Sequence, residues 1–494
     1  MKLMLLFVAF IELAAAPKGW VRVSTPTFDV LSNAGGEPAA QVAKLGLEIR
    51  RALLGATGAV GPMDEGSGVH PATILVLTPD EFDKLRPGPG ASGFYSAGKD
   101  RDYIAIRAGG DLRPEVFHEY LHLFLNQRGG RLPIWFGEGA AEVFSTARLR
   151  NGELRIGDAI PRHIEMLRKS RWPGLVSLFI SQPSGDGGDR DAVFYAQSWA
   201  LVHMLYLNPE YSPKLNRLLA TLANGTGHAQ AFEEVYGKPI EVVEEDLKAH
   251  VRRWNLPVRR IPIEASGPEE ASRVEIVTPL EAGVALAGFL LTLGRTEEAR
   301  QRLAALAQAF PQAAGVAAGL GDLELRTGHP ERAITEYSRS IDLGDRTPRV
   351  YFQRALLRRD ATPDGDLAIA DLRRAVELDP NYEEAWQLLG LLLLRAGKHS
   401  EAVEPLARDA NTSDTAIEIS RIEGKLIAFE CNPGPPRLII LAGGERVALT
   451  VDDPAKVLLR GLADTSVVLA CGPMPAREVT VEHWKGDVRE ITFH

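Results

Sequence analysis

Apolar residues follow two periods in the N-terminal half of the chain. From residue 18 to 110, short apolar runs predict strands at 20–23, 28–31, 73–77 and 103–106. Between the second and third of these, apolar residues at helical spacing predict a helix at 38–54. From 112 to 255 the spacing is mostly helical, with segments at 113–126, 132–147, 161–169, 192–207, 213–223 and 240–254. The pattern predicts an α+β layer that leads into a helical region.

A longer period follows residues 257–279, whose Pro, Glu and Ser content predicts a linker. Small alanines then recur with spacings of 34, 35 and 34 residues, at Ala299, Ala333, Ala368 and Ala402. Glycines recur in a related pattern at Gly294, Gly328 and Gly397. A period of about 34 residues is the signature of tetratricopeptide repeats, and we expect these small residues to let paired helices approach closely. We predict about four repeats over residues 280–410.

The pattern changes again over residues 412–494, where short strand-like runs alternate with turn residues. These runs lie at 425–429, 437–441, 447–451, 457–459, 466–470 and 478–482. Strands spaced in this way predict a small β-barrel or sandwich. Both cysteines of the chain, Cys431 and Cys471, fall in this region. They either form a disulfide or remain two buried thiols in neighbouring strands, and the sequence leaves both readings open.

The first residues combine a basic start, an apolar run over 3–11 and small residues at 14–16. This order predicts a signal peptide over 1–16 and an exported protein, periplasmic or extracellular, with the segment either cleaved or retained. Glu12 fits poorly, and the alternative is a buried N-terminal strand or helix. The sequence contains no other segment of transmembrane length.

Composition narrows the function further. A chain of 494 residues is too long to fold around one hydrophobic core. Its composition, with 45% hydrophobic and 24% charged residues, is typical of globular domains. The net charge of -9 is spread along the chain, and no Lys/Arg cluster contains interleaved aromatics. Nucleic acid is therefore not an expected partner.

Candidate chemistry lies in the helical run 117–126, which contains the pattern H-E-x-x-H. Spacing of four residues places His118 and His122 on one helix face, where both imidazoles can bind one Zn²⁺. Glu119 can then accept the proton of a water molecule that the metal acidifies. The bare pattern also occurs by chance, as two ordinary histidines and a surface glutamate.

A second acidic segment strengthens the metal hypothesis. Glu138 follows His122 by 16 residues and has Ile134, Trp135 and Phe136 beside it. A carboxylate in such apolar surroundings is costly unless it is paired or bound to a metal, and His₂Glu is a known zinc ligand set. Glu142 lies one turn later, either as a hydrogen-bond acceptor for a ligand histidine or as a solvated surface acid.

These residues resemble a known family. His118-Glu119-x-x-His122, followed by Trp135-Phe136-Gly137-Glu138-Gly139-x-Ala141, is similar to the gluzincin metallopeptidases, and most to the bacterial peptidase MA-like domains that are often joined to tetratricopeptide repeats. The resemblance covers residues 18–255 and implies a zinc peptidase fold. It also implies that Tyr195 donates a hydrogen bond to the oxyanion, although Gln197-Ser198 replaces the Lys-Gly of the aminopeptidase branch. His203, two turns further on, is expected to be a core residue or a supporting one.

The expected architecture is multidomain α+β, with a signal peptide (1–16), a gluzincin-like zinc peptidase domain (18–256), a linker (257–279), an α-helical tetratricopeptide solenoid (280–410) and a small all-β domain (412–494). The expected function is hydrolysis of peptide bonds in a peptide or protein substrate, with Zn²⁺ as cofactor. An endopeptidase is favoured because the Gly-Ala-Met-Glu-Asn element of aminopeptidases is missing, and 103–106 is the expected edge strand for substrate. The alternative is a non-catalytic scaffold that binds a protein partner through its repeats.

Overall fold

The computed structural model describes residues 19–56, 72–98, 101–127, 132–150, 152–169, 172–185, 187–253, 255–262, 273–359, 365–412, 420–430, 436–451, 458–460, 472–484 and 487–493. Within them the chain divides into two compact units, Met1–Ala402 and Val403–His494. The expected signal peptide and both cysteines lie outside the described residues. No helix in the described ranges is long and apolar enough to cross a membrane.

The N-terminal part of the first unit is built from nine strands and ten helices in the described ranges. The strands are β1 (Val21–Ser24), β2 (Phe28–Ser32), β3 (Ala72–Leu77), β4 (Gly93–Ser96), β5 (Asp102–Arg107), β6 (Arg148–Arg150), β7 (Glu153–Ile156), β8 (Arg259–Pro262) and β9 (Val274–Ile276). The helices are α1 (Gly36–Ala56), α2 (Pro79–Leu85), α3 (Arg113–Gln127), α4 (Ile134–Ser145), α5 (Pro161–Lys169), α6 (Leu175–Ile180), α7 (Asp189–Leu207), α8 (Leu215–Ala223), α9 (His228–Tyr236) and α10 (Ile240–Arg252).

Six of these strands form one sheet in the order β4-β5-β3-β2-β1-β9. Strands β2, β3 and β5 are mutually parallel, whereas β4, β1 and β9 pair antiparallel with their neighbours. All six residues of β3 are buried, as expected for a strand that is covered on both faces. Ile74 and Ile104 point into the core that α1, α3 and α4 share, while Leu75 and Tyr103 point to the opposite face.

That opposite face is covered by α2 and by the first helix after the expected linker, α11 (Pro279–Thr292). Phe289 of α11 packs its ring 5.8 Å from Phe94 and 5.3 Å from Tyr103. The expected linker itself contains β8, which pairs with β7, and β9, which pairs with β1. Both strands are short and largely exposed, so they leave no hydrophobic pattern in the sequence.

The repeat region consists of four successive helix–turn–helix units. Its helices are α11, α12 (Thr296–Ala309), α13 (Ala314–Arg326), α14 (Pro330–Asp342), α15 (Pro348–Arg358), α16 (Asp366–Leu378), α17 (Glu383–Arg395) and α18 (His399–Thr412). The four periodic alanines are buried, as the repeat pattern predicted. The periodic glycines Gly294, Gly328 and Gly397 instead adopt left-handed φ values of 73°, 80° and 72° after the first helix of a unit. No neighbour lies within 4 Å of a Cβ placed there, so these glycines end helices rather than permit close packing.

The second unit contains a six-stranded sheet, with β10 (Ser420–Glu430), β11 (Arg437–Ala442), β12 (Glu445–Thr450), β13 (Leu458–Arg460), β14 (Gly472–Trp484) and β15 (Asp487–Phe493). Their order is β12-β11-β10-β14-β15-β13, and β12 also pairs with β15 at Thr450 and Asp487. Leu438, Ile440 and Val481 form part of its core. The C-terminal region is therefore an all-β sheet, in which β15 was not predicted. The strand predicted at 466–470 lies outside the described residues.

Candidate metal centre

Helix α3 presents the H-E-x-x-H residues because its other face is anchored in the core. Val116, Phe117 and Leu121 are among its buried residues, and they pack in the core cluster beneath the sheet. The guanidinium of Arg113 donates a 2.6 Å hydrogen bond to Glu48 on α1, which fixes the start of the helix. His118 and His122 therefore point away from the core, with 17% and 20% of their side chains exposed.

Helix α4 brings the third residue. Trp135 and Phe136 are buried at its first turn, where the Trp135 ring packs against Phe179 of α6 and Phe232 of α9, and α4 also packs against α3. The Oε2 atom of Glu138 lies 3.5 Å from Nε2 of His118 and 3.5 Å from Nε2 of His122. The two Nε2 atoms lie 3.2 Å apart. Among the described residues, these three form the one group of His, Cys, Asp or Glu side chains with metal-binding spacing.

These separations match tetrahedral zinc coordination. Zinc bonds to nitrogen and oxygen are about 2.0–2.1 Å, so neighbouring ligand atoms in a tetrahedron lie about 3.3–3.4 Å apart. The observed separations of 3.2, 3.5 and 3.5 Å lie just below and just above this value. The three residues therefore fit a zinc ion with a fourth position open.

Glu138 and His118 shift each other's pKa in opposite directions. Burial of Glu138 disfavours its charge, but hydrogen bonds and charge interactions with His118 and His122 outweigh burial and hold its pKa well below the usual range. Burial also disfavours the imidazolium of His118, yet its contact with Glu138 and the charges of Glu119 and Glu142 raise its pKa to about 9. The raised pKa of His118 and the lowered pKa of Glu138 thus have the same origin, which is their mutual attraction.

Glu119 lies beside the ligands, and only 8% of its surface is exposed. Burial raises its pKa, and this effect exceeds the opposing influence of the two histidines and of a hydrogen bond from the backbone N–H of Tyr95. Gly93 leaves room for this side chain, because a Cβ there would lie 3.1 Å from Cγ of Glu119. Strand β4 therefore borders the site directly.

Glu142 is buried rather than solvated, which rules out the surface-acid reading. Its Oε1 lies 3.9 Å from Nδ1 of His118, and its Oε2 lies 3.1 Å from Nε2 of His163 and 3.7 Å from a guanidinium nitrogen of Arg162. The hydrogen-bond direction at Nε2 of His163 is poor despite this short distance. Burial disfavours the charge of Glu142, but interactions with His163, His118 and Arg162 outweigh burial and hold its pKa below the usual range. No sequence pattern marked His163, since it is a single histidine in a short helix.

Tyr195 lies on α7, which packs closely against α4. Burial first, and then the charges of Glu138 and Glu119, raise the pKa of its phenol, so the hydroxyl lies within electrostatic reach of the cluster and keeps its proton. His203, further along α7, lies in a separate buried pair: its Nδ1 is 2.9 Å from Nε2 of His250, and its Nε2 is 3.0 Å from the carbonyl oxygen of Gly157.

The loops that precede β4 and α7 contact each other near the site. The carboxylate of Asp191 accepts hydrogen bonds from the backbone N–H groups of Ser184 and Gly185, both at 2.8 Å, which orders the loop before α7. A Cβ on Gly88 would collide with the carbonyl oxygen of Gly185. The loop before β4 therefore touches the loop before α7.

The expected edge strand requires correction. Residues 103–106 lie in β5, which pairs with β4 on one side and β3 on the other. The edge next to the site is β4, Gly93–Ser96, which the sequence analysis did not identify because its apolar run is too short.

Comparison with known proteins supports the repeats. Tetratricopeptide repeat family models match residues 289–348 and 372–404. The prediction of such repeats in the C-terminal region is therefore confirmed. Neither match reaches the N-terminal half, so the gluzincin resemblance depends on the residues described above. No curated protein matches the chain.

Three similar solved structures each cover about a quarter of the chain. The crystal structure of MamA is 21% identical over 27% of this chain and 78% of its own, with a TM-score of 0.25. YrrB, described as a TPR protein with an unusual peptide-binding site, is 20% identical over 27% and 68%, with a TM-score of 0.25. PilF of Pseudomonas aeruginosa is 23% identical over 28% and 62%, with a TM-score of 0.25. TM-scores of this size carry no argument about the present chain.

Proposed function

We propose that this chain binds a protein partner through its tetratricopeptide repeats and carries a zinc-dependent peptidase site in its N-terminal half. Stacked helical repeats form extended surfaces that bind other proteins, and the repeats here match their family models. Partner binding therefore has the stronger support from known proteins, as the alternative in the sequence analysis stated. The peptidase site is supported by geometry.

The observation that carries the peptidase proposal is the His118–His122–Glu138 triangle, because its edges match tetrahedral zinc. Zinc in such a site polarises a scissile carbonyl and acidifies water. Glu119 is held next to the ligands by burial and by the N–H of Tyr95, in position to accept a proton from the attacking water and return it to the leaving amine.

Other residues of the site supply orientation and charge stabilisation. The protonated phenol of Tyr195 provides a donor for the negative charge that develops on the carbonyl oxygen. Among the described strands β4 pairs only with β5, and we propose that an extended substrate strand adds to its outer edge beside Glu119. We propose export on the basis of residues 1–16.

The test compares wild type with Glu119→Gln, Glu138→Ala and the control Glu115→Gln. Glu115 lies one turn before Glu119 on α3 and accepts a hydrogen bond from the hydroxyl of Ser92. We expect wild type, Glu119→Gln and Glu115→Gln to contain about one zinc ion by atomic spectroscopy, and Glu138→Ala to lose it. Wild type and Glu115→Gln should cleave a proteome-derived peptide mixture, as read by mass spectrometry, and Glu119→Gln should lose this cleavage by about 10² or more.

Two results would separate the parts of the proposal. Zinc-free wild type, or equal cleavage by wild type and Glu119→Gln, would remove the peptidase function. Partner binding by the repeats would be unaffected by either result, because the repeats lie outside the metal site. Zinc content without any cleavage would leave a metal-binding scaffold in place of an enzyme.

A further inference from the structure

The loop of residues 86–92, which leads into β4, touches the segment that leads into α7. A Cβ placed on Gly88 would lie 1.7 Å from the carbonyl oxygen of Gly185, and a Cβ placed on Gly90 would lie 3.2 Å from Cα of Gly187. Any side chain on Gly88 would therefore overlap the facing backbone, so glycine is required there. These four glycines bring the two backbones into contact, and we call this contact the loop bridge.

Both sides of the loop bridge are held in place. On one side, Pro87 and Pro89 restrict the backbone, and the guanidinium of Arg86 donates a 2.6 Å hydrogen bond to the carbonyl oxygen of Pro89. On the other side, the buried carboxylate of Asp191 accepts hydrogen bonds from backbone N–H groups of the segment before α7. The contact therefore joins two ordered segments.

The loop bridge connects the two walls of the proposed substrate cleft. One wall is β4, whose Gly93 faces Glu119, and the other is α7, which carries Tyr195. Ser92, next to Gly93, donates a 3.0 Å hydrogen bond to Glu115 in the first turn of α3, the helix that carries the two histidines. A chain that lies along β4 and continues past Gly93 therefore meets the loop bridge.

The path from the site to the loop bridge is short along both walls. Gly93 follows Gly90 by three residues, which span at most about 10 Å of extended backbone. On the other wall, α7 begins at Asp189, and six further helical residues lead to Tyr195, which is about 9 Å at 1.5 Å per residue. An extended substrate advances about 3.3 Å per residue, so about three residues fit between the scissile bond and the loop bridge.

We propose that the loop bridge closes one end of the substrate cleft, so that the site acts on the free end of a polypeptide and releases fragments of up to about three residues. The inference rests on the proposed peptidase function and names its substrate class. It differs from the endopeptidase expected from the sequence, because an internal bond reaches Glu119 only if the chain leaves the cleft at both ends. Antiparallel addition to β4 is the more stable pairing and points the C-terminus of the substrate towards the loop bridge, so we expect C-terminal trimming.

The experiment compares a library of linear peptides with the same library cyclised head to tail, on the full-length protein with zinc. Mass spectrometry locates the cuts in linear peptides and detects ring opening by the addition of one water molecule. We expect wild type to release fragments of about one to three residues from the C-terminus. Rings should open about 10²-fold more slowly, because a ring has no end and cannot align a bond with Glu119.

Peptide binding gives a second measurement that does not depend on cleavage. On Glu119→Gln protein, the linear library should displace a linear peptide labelled on a side chain, as read by fluorescence anisotropy. The cyclic library should not displace it.

Two variants open the loop bridge from opposite sides. Asp191→Ala removes the hydrogen-bond acceptor of the segment before α7, and deletion of residues 87–89 withdraws the loop before β4. Each should keep its zinc, by atomic spectroscopy, and gain both interior cuts and ring opening. Asp189→Ala, at an exposed acidic position in the same turn of α7, is the matched control and should trim only the end, as wild type does.

Interior cuts in linear peptides by wild type, or rings opened as fast as linear peptides are cut, would overturn the closed end and leave the peptidase function intact. Folded, zinc-containing loop variants that still trim only the end would overturn the role of the loop bridge. Trimming from the N-terminus would support the closed end and reverse the direction of the bound chain. No cleavage of either library by zinc-containing wild type would remove the peptidase function and this inference together.

A variant that fails to fold, as judged by circular dichroism, does not affect the test. The comparison of linear and cyclic peptides on wild type decides the closed end by itself.

Discussion

At the scale of single residues, Glu142 connects the proposed zinc ligand His118 to the surrounding core. Its carboxylate is buried between His118 on one side and His163 and Arg162 on the other. A buried carboxylate of this kind orients a ligand imidazole and favours the tautomer that offers Nε2 to the metal. His163 in turn gives the carboxylate a second partner, so that its position does not depend on His118 alone.

Replacing Glu142 with glutamine should therefore weaken zinc binding without removing a ligand. We expect the zinc affinity of Glu142→Gln to fall about 10–100-fold, as measured by competition with a chromophoric chelator. Glu241→Gln, at an exposed position on α10, serves as the control and should bind zinc like wild type. An unchanged affinity in Glu142→Gln would show that Glu142 does not support His118.

The buried pair His203 and His250 makes a prediction about pH. Burial lowers the pKa of His203 from 6.5 to about 4. Burial, together with the charges of His203 and Arg253, lowers the pKa of His250 from 6.5 to about 3. The unfolded chain therefore binds protons at a higher pH than the folded chain does. The stability that the neutral pair contributes is complete above the unfolded pKa of 6.5 and is lost as the pH falls towards 4 and below.

Chemical denaturation as a function of pH measures this effect. Each such histidine adds up to about 1.4 kcal/mol per pH unit to the slope of the unfolding free energy between the two pKa values. His250→Gln should flatten the slope below pH 6.5. His329→Gln, at an exposed position, is the control. A slope that is the same in wild type and His250→Gln would mean that the pair does not stay neutral in the folded state.

At the scale of elements, the approach of α4 to α7 places Glu138. A Cβ on Gly139 would lie 2.6 Å from Cγ2 of Val202 and closer still to the carbonyl oxygen of Ser198. Glycine is thus required where the two helices touch, one residue after the proposed zinc ligand Glu138. By contrast, a Cβ on Gly137 would meet nothing within 4 Å.

This contrast gives a matched pair of variants. Gly139→Ala forces the helices apart, so we expect the unfolding free energy to fall by about 1–3 kcal/mol and zinc affinity to fall with it. Gly137→Ala should be neutral or stabilise the helix by up to about 1 kcal/mol, because alanine favours a helix and finds open space. Urea denaturation measures the unfolding free energy of each variant, and zinc titration measures its zinc affinity. Equal stability of the two variants would show that α4 has room to shift.

The same elements show what the sequence could predict. Helices α3 and α4 were recognisable because long apolar stretches carry the spaced residues His118, His122 and Glu138. Strand β4 and the strands of the expected linker were not, since strands of three or four residues pair through their backbones and leave little pattern. The role of His163 could not be predicted from the sequence, because it depends on a contact with Glu142 that no local residue spacing indicates.

At the scale of the whole first unit, the repeat array is joined to the N-terminal sheet through a shared core. Phe289 and Leu286 of α11 are buried with Trp20, Leu75 and Phe94 of the N-terminal part. Strand β9 extends the sheet directly before α11 begins. The first repeat helix therefore completes the N-terminal domain, because without it the outer face of the sheet would expose large apolar side chains to water.

Removing the Phe289 side chain should therefore destabilise both parts of this unit. We expect Phe289→Ala to lower the unfolding free energy by about 3–5 kcal/mol, whereas Phe310→Ala, at a site that is 39% exposed, should change it by less than about 1 kcal/mol. Far-ultraviolet circular dichroism follows the helices of both parts, and release of bound zinc during the same denaturation follows the N-terminal part alone. Both signals should shift together in Phe289→Ala, because one core serves both parts. Zinc release at the wild-type denaturant concentration, with only the helical signal shifted, would mean that the sheet does not depend on α11.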